Sequence, residues 1–129
     1  MYGRKKICGK FGFKMNNIIY AMFLSMLLEK PTYGYLLVEG LVDFGISKDA
    51  VPYGAAYKIL RSMEAEGFIT SKWETQGNGP ARRVYYITEN GVNYLRSWLE
   101  DAKKNFEGVK KIMDRVEQIL NKNTGGDIK

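Results

Sequence analysis

Pro52-Tyr-Gly-Ala-Ala-Tyr-Lys-Ile-Leu-Arg-Ser-Met-Glu-Ala-Glu-Gly-Phe-Ile69 is the stretch from which the rest of the chain can be read. Ala56, Ile59, Leu60 and Met63 recur at steps of three and four, which lines one face of a helix. Tyr53, Tyr57, Lys58, Arg61 and Glu64 fall on the opposite face. Pro52 fits a first helical turn, where no backbone N–H is needed. Gly67 fits the stop, because glycine takes the left-handed conformation without a Cβ penalty. The outward face carries two tyrosines and two cations against one acid, so it needs a partner.

Two segments rich in β-branched and aromatic residues follow, Phe68–Thr75 and Arg83–Thr88. Between them lie the turn formers of Gln76–Ala81, with Arg82 at the exit. Helix, strand, glycine-rich tip with arginines, strand: this order outlines a recognition helix followed by a wing. Alternation sends Arg82 and Arg83 to opposite faces, so only one, Arg82 first, is expected to point at a nucleic acid from the strand. Tyr85 and Ile87 share a face over the core with Ile69 opposite, and Trp73 reads as bracing the hairpin.

Upstream, Ile18–Leu28 is almost continuously apolar. It is too short for a bilayer span, which needs about twenty residues, and it lacks a signal-peptide cleavage pattern, so a cytoplasmic chain is expected. It reads as a core helix, capped by Asn16 or Asn17 and ended by Lys30-Pro31. Thr32 is expected to cap a second helix over about Tyr33–Phe44, with Leu36, Leu37, Leu41 and Phe44 inward and Gly45 as its stop. Gly34, between Tyr33 and Tyr35, permits a close helix contact. Tyr35 reads as packing, with a phosphate contact as the alternative. Lys48, in the turn Ile46–Val51, either faces a phosphate or is solvated.

Downstream, Thr88 is the expected N-cap of a helix running from Glu89 to about Lys122. Val92, Leu95, Leu99, Ala102, Phe106, Val109, Met113, Val116 and Leu120 follow one another at alternating steps of three and four. That is an unbroken heptad pattern, the mark of helices that pair. Trp98, Ile112 and Ile119 widen the stripe on one flank. A helix of this length exceeds what one small domain can cover, so Leu95 to Leu120 along the stripe are the expected homodimer contacts. The fold class is therefore mainly α with a small β-hairpin. Its parts are a basic N-terminal arm (1–15), a winged helix-turn-helix domain (16–88), a long C-terminal dimerisation helix (89–122) and a polar tail (123–129).

The chain has 129 residues and a net charge of +6. Arg4, Lys5, Lys6, Lys10 and Lys14 sit in a segment with no acid, and the remaining 15 cations face 14 acids. The body is thus nearly neutral, and the arm either follows a DNA backbone or is a solvated tail. Cys8 is the one cysteine, which excludes an intrachain disulfide. Without histidine, a zinc site of the usual Cys/His kind cannot be built, so no metal and no cofactor are expected. No catalytic residues are assigned either: no Ser or Cys sits beside an evident base, the acids form no paired motif, and no phosphate-cradling glycine loop is present.

GAAYKILRSMEAEGFI, SKWE, GPARRVYYITENG and the upstream PTYGYLL occur in one order and spacing. Together they resemble the winged-helix domain of the PadR family of transcriptional regulators, over roughly Asn17 to Trp98. The resemblance implies that the Pro52–Ile69 helix enters the DNA major groove with its N-terminal half nearest the bases. It assigns Tyr53, Gly54 and Ala55 to the closest approach, Tyr57, Lys58 and Arg61 to flanking contacts, and Arg82 and Arg83 to the wing. Tyr57 matches the family's characteristic tyrosine, its hydroxyl directed at a phosphate oxygen, with helix-to-wing packing as the alternative. Ala55 stands where many relatives carry Ser or Thr, which removes a hydroxyl contact and bears on the target sequence. A repressor released by a small aromatic effector is also implied. Trp98 is the candidate effector residue, because paired indoles can sandwich a planar ligand, with interface packing as the alternative. The competing reading is a winged-helix module that binds protein and not DNA; it leaves Arg61, Arg82 and the arm without an assignment.

Overall fold

The apolar segment near the N-terminus forms α1 (Met15–Glu29) and supplies the centre of the core. Ile19, Phe23, Leu24 and Leu27 are all buried, each worth roughly 1.5–3 kcal/mol for full burial. The computed structural model describes residues 15–75 and 77–123, with side chains from residue 17 onward. The arm's cations, Cys8 and the tail beyond residue 123 lie outside the described residues. Because α1 opens at Met15, Asn16 and Asn17 fall inside the helix and are not its caps.

Thr32 and Tyr33 depart from expectation. They form a two-residue strand, β1, in place of a helix cap. β1 pairs with the strand β3 (Arg82–Ile87), which also pairs antiparallel with β2 (Ile69–Glu74), so the sheet order is β1-β3-β2. Ile69 faces Ile87 and Trp73 faces Arg83 across the hairpin. The second helix, α2 (Gly34–Gly40), starts only after β1 and gives way to a single 3₁₀ turn, Leu41–Phe44. Its buried residues are Gly34, Leu37, Val38 and Leu41, a run at steps of three, one and three that is one helix face. Leu36 lies off that face and is 47% exposed; Phe44, displaced by the tighter 3₁₀ winding, is 58% exposed. Both had been expected inside. Gly45 ends the turn at φ +84°, as expected of a glycine stop.

α3 (Tyr53–Ala65) buries Ala56, Leu60 and Met63 and keeps Ile59 half-buried, as its periodicity requires. Gly67 closes it at φ +86°. The Glu64 carboxylate, on the outward face, accepts from the Ser71 hydroxyl at 2.9 and 3.1 Å, which ties α3 to β2. Thr88 caps α4 (Glu89–Asn123), its Oγ1 accepting the Gly91 N–H at 3.1 Å. The same hydroxyl donates to the Gly67 carbonyl at 2.6 Å, so one side chain joins the end of α3 to the start of α4.

Two compact units are distinguished, Met1–Trp98 and Leu99–Lys129, and α4 contributes residues to both. In the first, Tyr94 and Leu95 pack on the core, with Tyr94 tilted against Phe68 at a ring separation of 4.7 Å. In the second, Leu99, Phe106, Val109, Met113, Val116 and Leu120 are exposed along their length. Such a contiguous apolar stripe marks a surface for association.

Two glycines in α4 make opposite predictions. A Cβ on Gly91 would press on the Phe68 carbonyl and lie 2.8 Å from Ile87 Cγ1, whereas one on Gly108 meets nothing within 4 Å. Gly91→Ala is expected to destabilise the protein by about 1–3 kcal/mol in a denaturant titration. Gly108→Ala is expected to stabilise it by about 1 kcal/mol.

Candidate nucleic-acid interface

α3 begins without a side-chain cap, and its first intrahelical bond runs from the Ala56 N–H to the Pro52 carbonyl at 2.9 Å. The N–H groups of Tyr53, Gly54 and Ala55 therefore precede the helical ladder, where their partial positive charge favours an anion. Gly54 and Ala55 are exposed, and no atom comes within 4 Å of where a Gly54 Cβ would stand. The backbone at this end of α3 is open to close approach.

β1, the start of α2, α3 and the β2–β3 hairpin converge on a cleft of about 600 Å³ lined by Tyr33, Gly34, Tyr35, Tyr57, Arg61, Trp73, Arg82, Arg83 and Tyr85. Three guanidinium groups border it and no lining residue is acidic. The floor depends on Gly34, since a Cβ there would lie 2.6 Å from Tyr57 Cε1 and 3.3 Å from Tyr85 Cε2. Tyr57 is half-buried on this floor, so its ring packs between helix and wing while Arg61, one turn on, is exposed.

Both wing arginines line the cleft. They do leave β3 on opposite faces: Arg82 lies over the Tyr33 ring at 5.1 Å and Arg83 over the Trp73 ring at 5.6 Å. Their long stems follow the neighbouring rings to the cleft edge, so strand alternation does not decide where the charge ends up. Trp73, itself 67% exposed, braces the hairpin through this cross-strand pair with Arg83. Lys58 is exposed on α3 and does not line the cleft.

Tyr53, on the outward face of α3, also has partners within the chain. Its hydroxyl donates to Glu39 on α2, and its ring stacks on Tyr35 at 5.8 Å with planes 10° apart. Lys48 pairs with the same carboxylate at 2.9 Å and stands 5.9 Å above the Tyr53 ring. Lys48 is thus paired with an acid of the same chain, a partner that the sequence reading did not name. Glu39 was not singled out in the sequence. Its only signal is a lone acid on a short helix four residues beyond Tyr35, and nothing local links it to residues nine and fourteen positions away.

Of the predicted effector and pairing residues, Trp98 and Ala102 are half-exposed. Among the described residues, no group of three or more His, Cys, Asp or Glu is placed to hold a metal ion. No described helix is long and apolar enough to cross a membrane.

Residues 23–97 match the transcriptional regulator PadR-like family. The chain therefore belongs to the PadR-like family of transcriptional regulators, and its domain has their DNA-binding winged-helix fold; the family's members are regulators, not enzymes. Among solved structures, it resembles the conserved protein TM0937, described as a potential transcriptional factor. That match has 29% identity and a TM-score of 0.71, covering 85% of this chain and 97% of the other. It also resembles a PadR family transcriptional regulator from Eggerthella lenta, with 27% identity and a TM-score of 0.64, covering 88% and 97% of the two chains. A PadR family transcription regulator from Clostridium difficile shares 26% identity with a TM-score of 0.57, covering 76% and 96%. No curated protein sequence matches the chain.

The phenols carry a pH signature. The Glu39 hydrogen bond raises the Tyr53 phenol above its ordinary value, and burial, followed by the Glu66 charge, pushes Tyr20 up to about 12. A raised phenol stays protonated in the folded chain where the unfolded chain has lost its proton. Its contribution to stability is therefore complete below pH about 10 and lost as pH rises towards 12. Stability measured by denaturant should fall across that window. In an ultraviolet titration, Glu39→Gln should move one phenol back towards about 10.

Proposed function

We propose that the protein is a sequence-specific transcriptional regulator that binds an inverted-repeat operator as a homodimer. The observation that carries this reading is the convergence of Arg61, Arg82 and Arg83 on one acid-free cleft beside the uncapped start of α3. In it, α3 lies in the major groove, with Tyr53, Gly54 and Ala55 nearest the bases. Tyr57, Lys58 and Arg61 meet flanking groups, and the wing lays Arg82 and Arg83 along the backbone. Phosphate contacts supply most of the affinity and base contacts the selectivity.

Residues 16–88 form the reading domain and 89–122 the pairing helix. The exposed stripe from Leu99 to Leu120, with Leu95 and Ala102 completing the heptads, is the second copy's docking face. Pairing about a two-fold axis brings two α3 helices to a spacing of about 34–36 Å, one DNA turn. The basic arm of residues 1–15 adds backbone contacts. Exclusion of polymerase, in the cytoplasm, makes the dimer a repressor. A small aromatic effector held near Trp98 at the dimer cleft releases it.

The test is a titration of duplex DNA from upstream of the protein's own gene against a scrambled duplex, at two salt concentrations. The native duplex is expected to bind more tightly, with affinity falling as salt rises. Arg61→Ala and Lys58→Ala should each weaken binding, by about 1–3 kcal/mol where the contact reads a base. Equal, purely salt-driven binding of both duplexes would overturn sequence specificity. Binding to neither at low salt, with a protein captured instead, would replace the DNA reading with a protein-binding module.

A further inference from the structure

Glu39 is an acid at the edge of a surface rich in cations and aromatic rings. Tyr35 belongs to the arginine cleft and stacks on Tyr53; Tyr53 leads into α3 and donates to Glu39; Glu39 holds Lys48. These contacts make one continuous strip from the wing arginines to the turn before α3. A carboxylate on such a strip opposes the binding of a polyanion, so its presence asks for a reason.

We propose that Glu39 is a specificity-determining residue of the DNA-binding surface: it cancels the charge of Lys48 and fixes Tyr53 at the head of α3. The inference rests on the DNA-binding reading above. The Lys48 side chain is 52% exposed and that of Glu39 31%, so both charges face solvent where DNA would lie. If Lys48 stays on Glu39, it makes no phosphate contact. If Lys48 swings to a phosphate, it leaves a bare carboxylate inside the negative potential of the duplex. Either way the pair adds no net positive charge, and the sequence-independent part of binding is reduced. What Glu39 retains is geometry. It holds the Tyr53 hydroxyl while Tyr35 holds the ring, so the first side chain of α3 meets DNA in one orientation and loses little conformational freedom on binding.

Salt dependence separates this role from a structural one. The logarithm of affinity against the logarithm of salt concentration is measured on a scrambled duplex and on the duplex from upstream of the protein's own gene. The proteins are the full chain, Glu39→Gln, Lys48→Ala and the double variant. The glutamine still offers Tyr53 an oxygen acceptor, so folding is retained, and a matching circular dichroism melt checks it. Freeing Lys48 in Glu39→Gln should steepen the scrambled-duplex slope by about one. That is a further loss of about three- to fourfold between 50 and 200 mM salt. Scrambled DNA should bind more tightly at low salt, and the preference for native over scrambled DNA should shrink. Lys48→Ala and the double variant should keep the parental slope.

An unchanged slope in Glu39→Gln overturns the proposal. So does an equal steepening in the double variant, because the effect would then come from removing an acid and not from releasing Lys48. A parental chain that binds neither duplex brings down the DNA-binding reading itself, before any variant is compared.

Discussion

The missing side chain at Gly34 is the constraint on which the arginine-bordered cleft depends. Tyr57 from α3 and Tyr85 from β3 both close on that position, at distances that leave no room for a methyl group. Their meeting sets α3 against the wing, and β1, immediately before Gly34, is hydrogen-bonded to β3 itself. Helix, wing and the start of α2 are thereby fixed around one glycine. The arginines that border the cleft come from two of these elements, and their spacing relative to each other is a consequence of that contact.

A second tie works at the far end of the same domain. Thr88 accepts from Gly91, donates to the carbonyl of Gly67 and so couples the stop of α3 to the cap of α4. The neighbouring aromatic group of Tyr20, Phe68 and Tyr94 packs α1, the start of the hairpin and α4 together. α3 is thus held at its N-terminal end by Glu39 and Tyr35 and at its C-terminal end by Thr88. Rigid placement of this kind is what base readout requires, since a loosely held helix would spend binding free energy on ordering.

Much of this was legible in the residues. The steps of Ala56, Ile59, Leu60 and Met63 gave the buried face of α3, Gly67 marked its end and Gly45 that of the turn before it, because only glycine sits easily at positive φ. The hairpin register was readable from Ile69, Tyr85 and Ile87. What was hidden shares one cause, dependence on distant partners. β1 is two residues long, too short to show a period, and exists only because β3 offers it an edge. Phe44 and Leu36 looked apolar enough to be core, yet a 3₁₀ turn and the competing Val38 left them outside. Glu39 looked like an ordinary surface acid until the fold brought Tyr53 and Lys48 to it.

The central claim is that two copies of α3 read DNA together, one turn apart. Hydroxyl-radical footprinting of the protein on DNA upstream of its own gene tests it most directly. The account predicts two symmetric protected half-sites on one face of the duplex, centred about 10 base pairs apart. A single unpaired half-site, or uniform protection without symmetry, would contradict it.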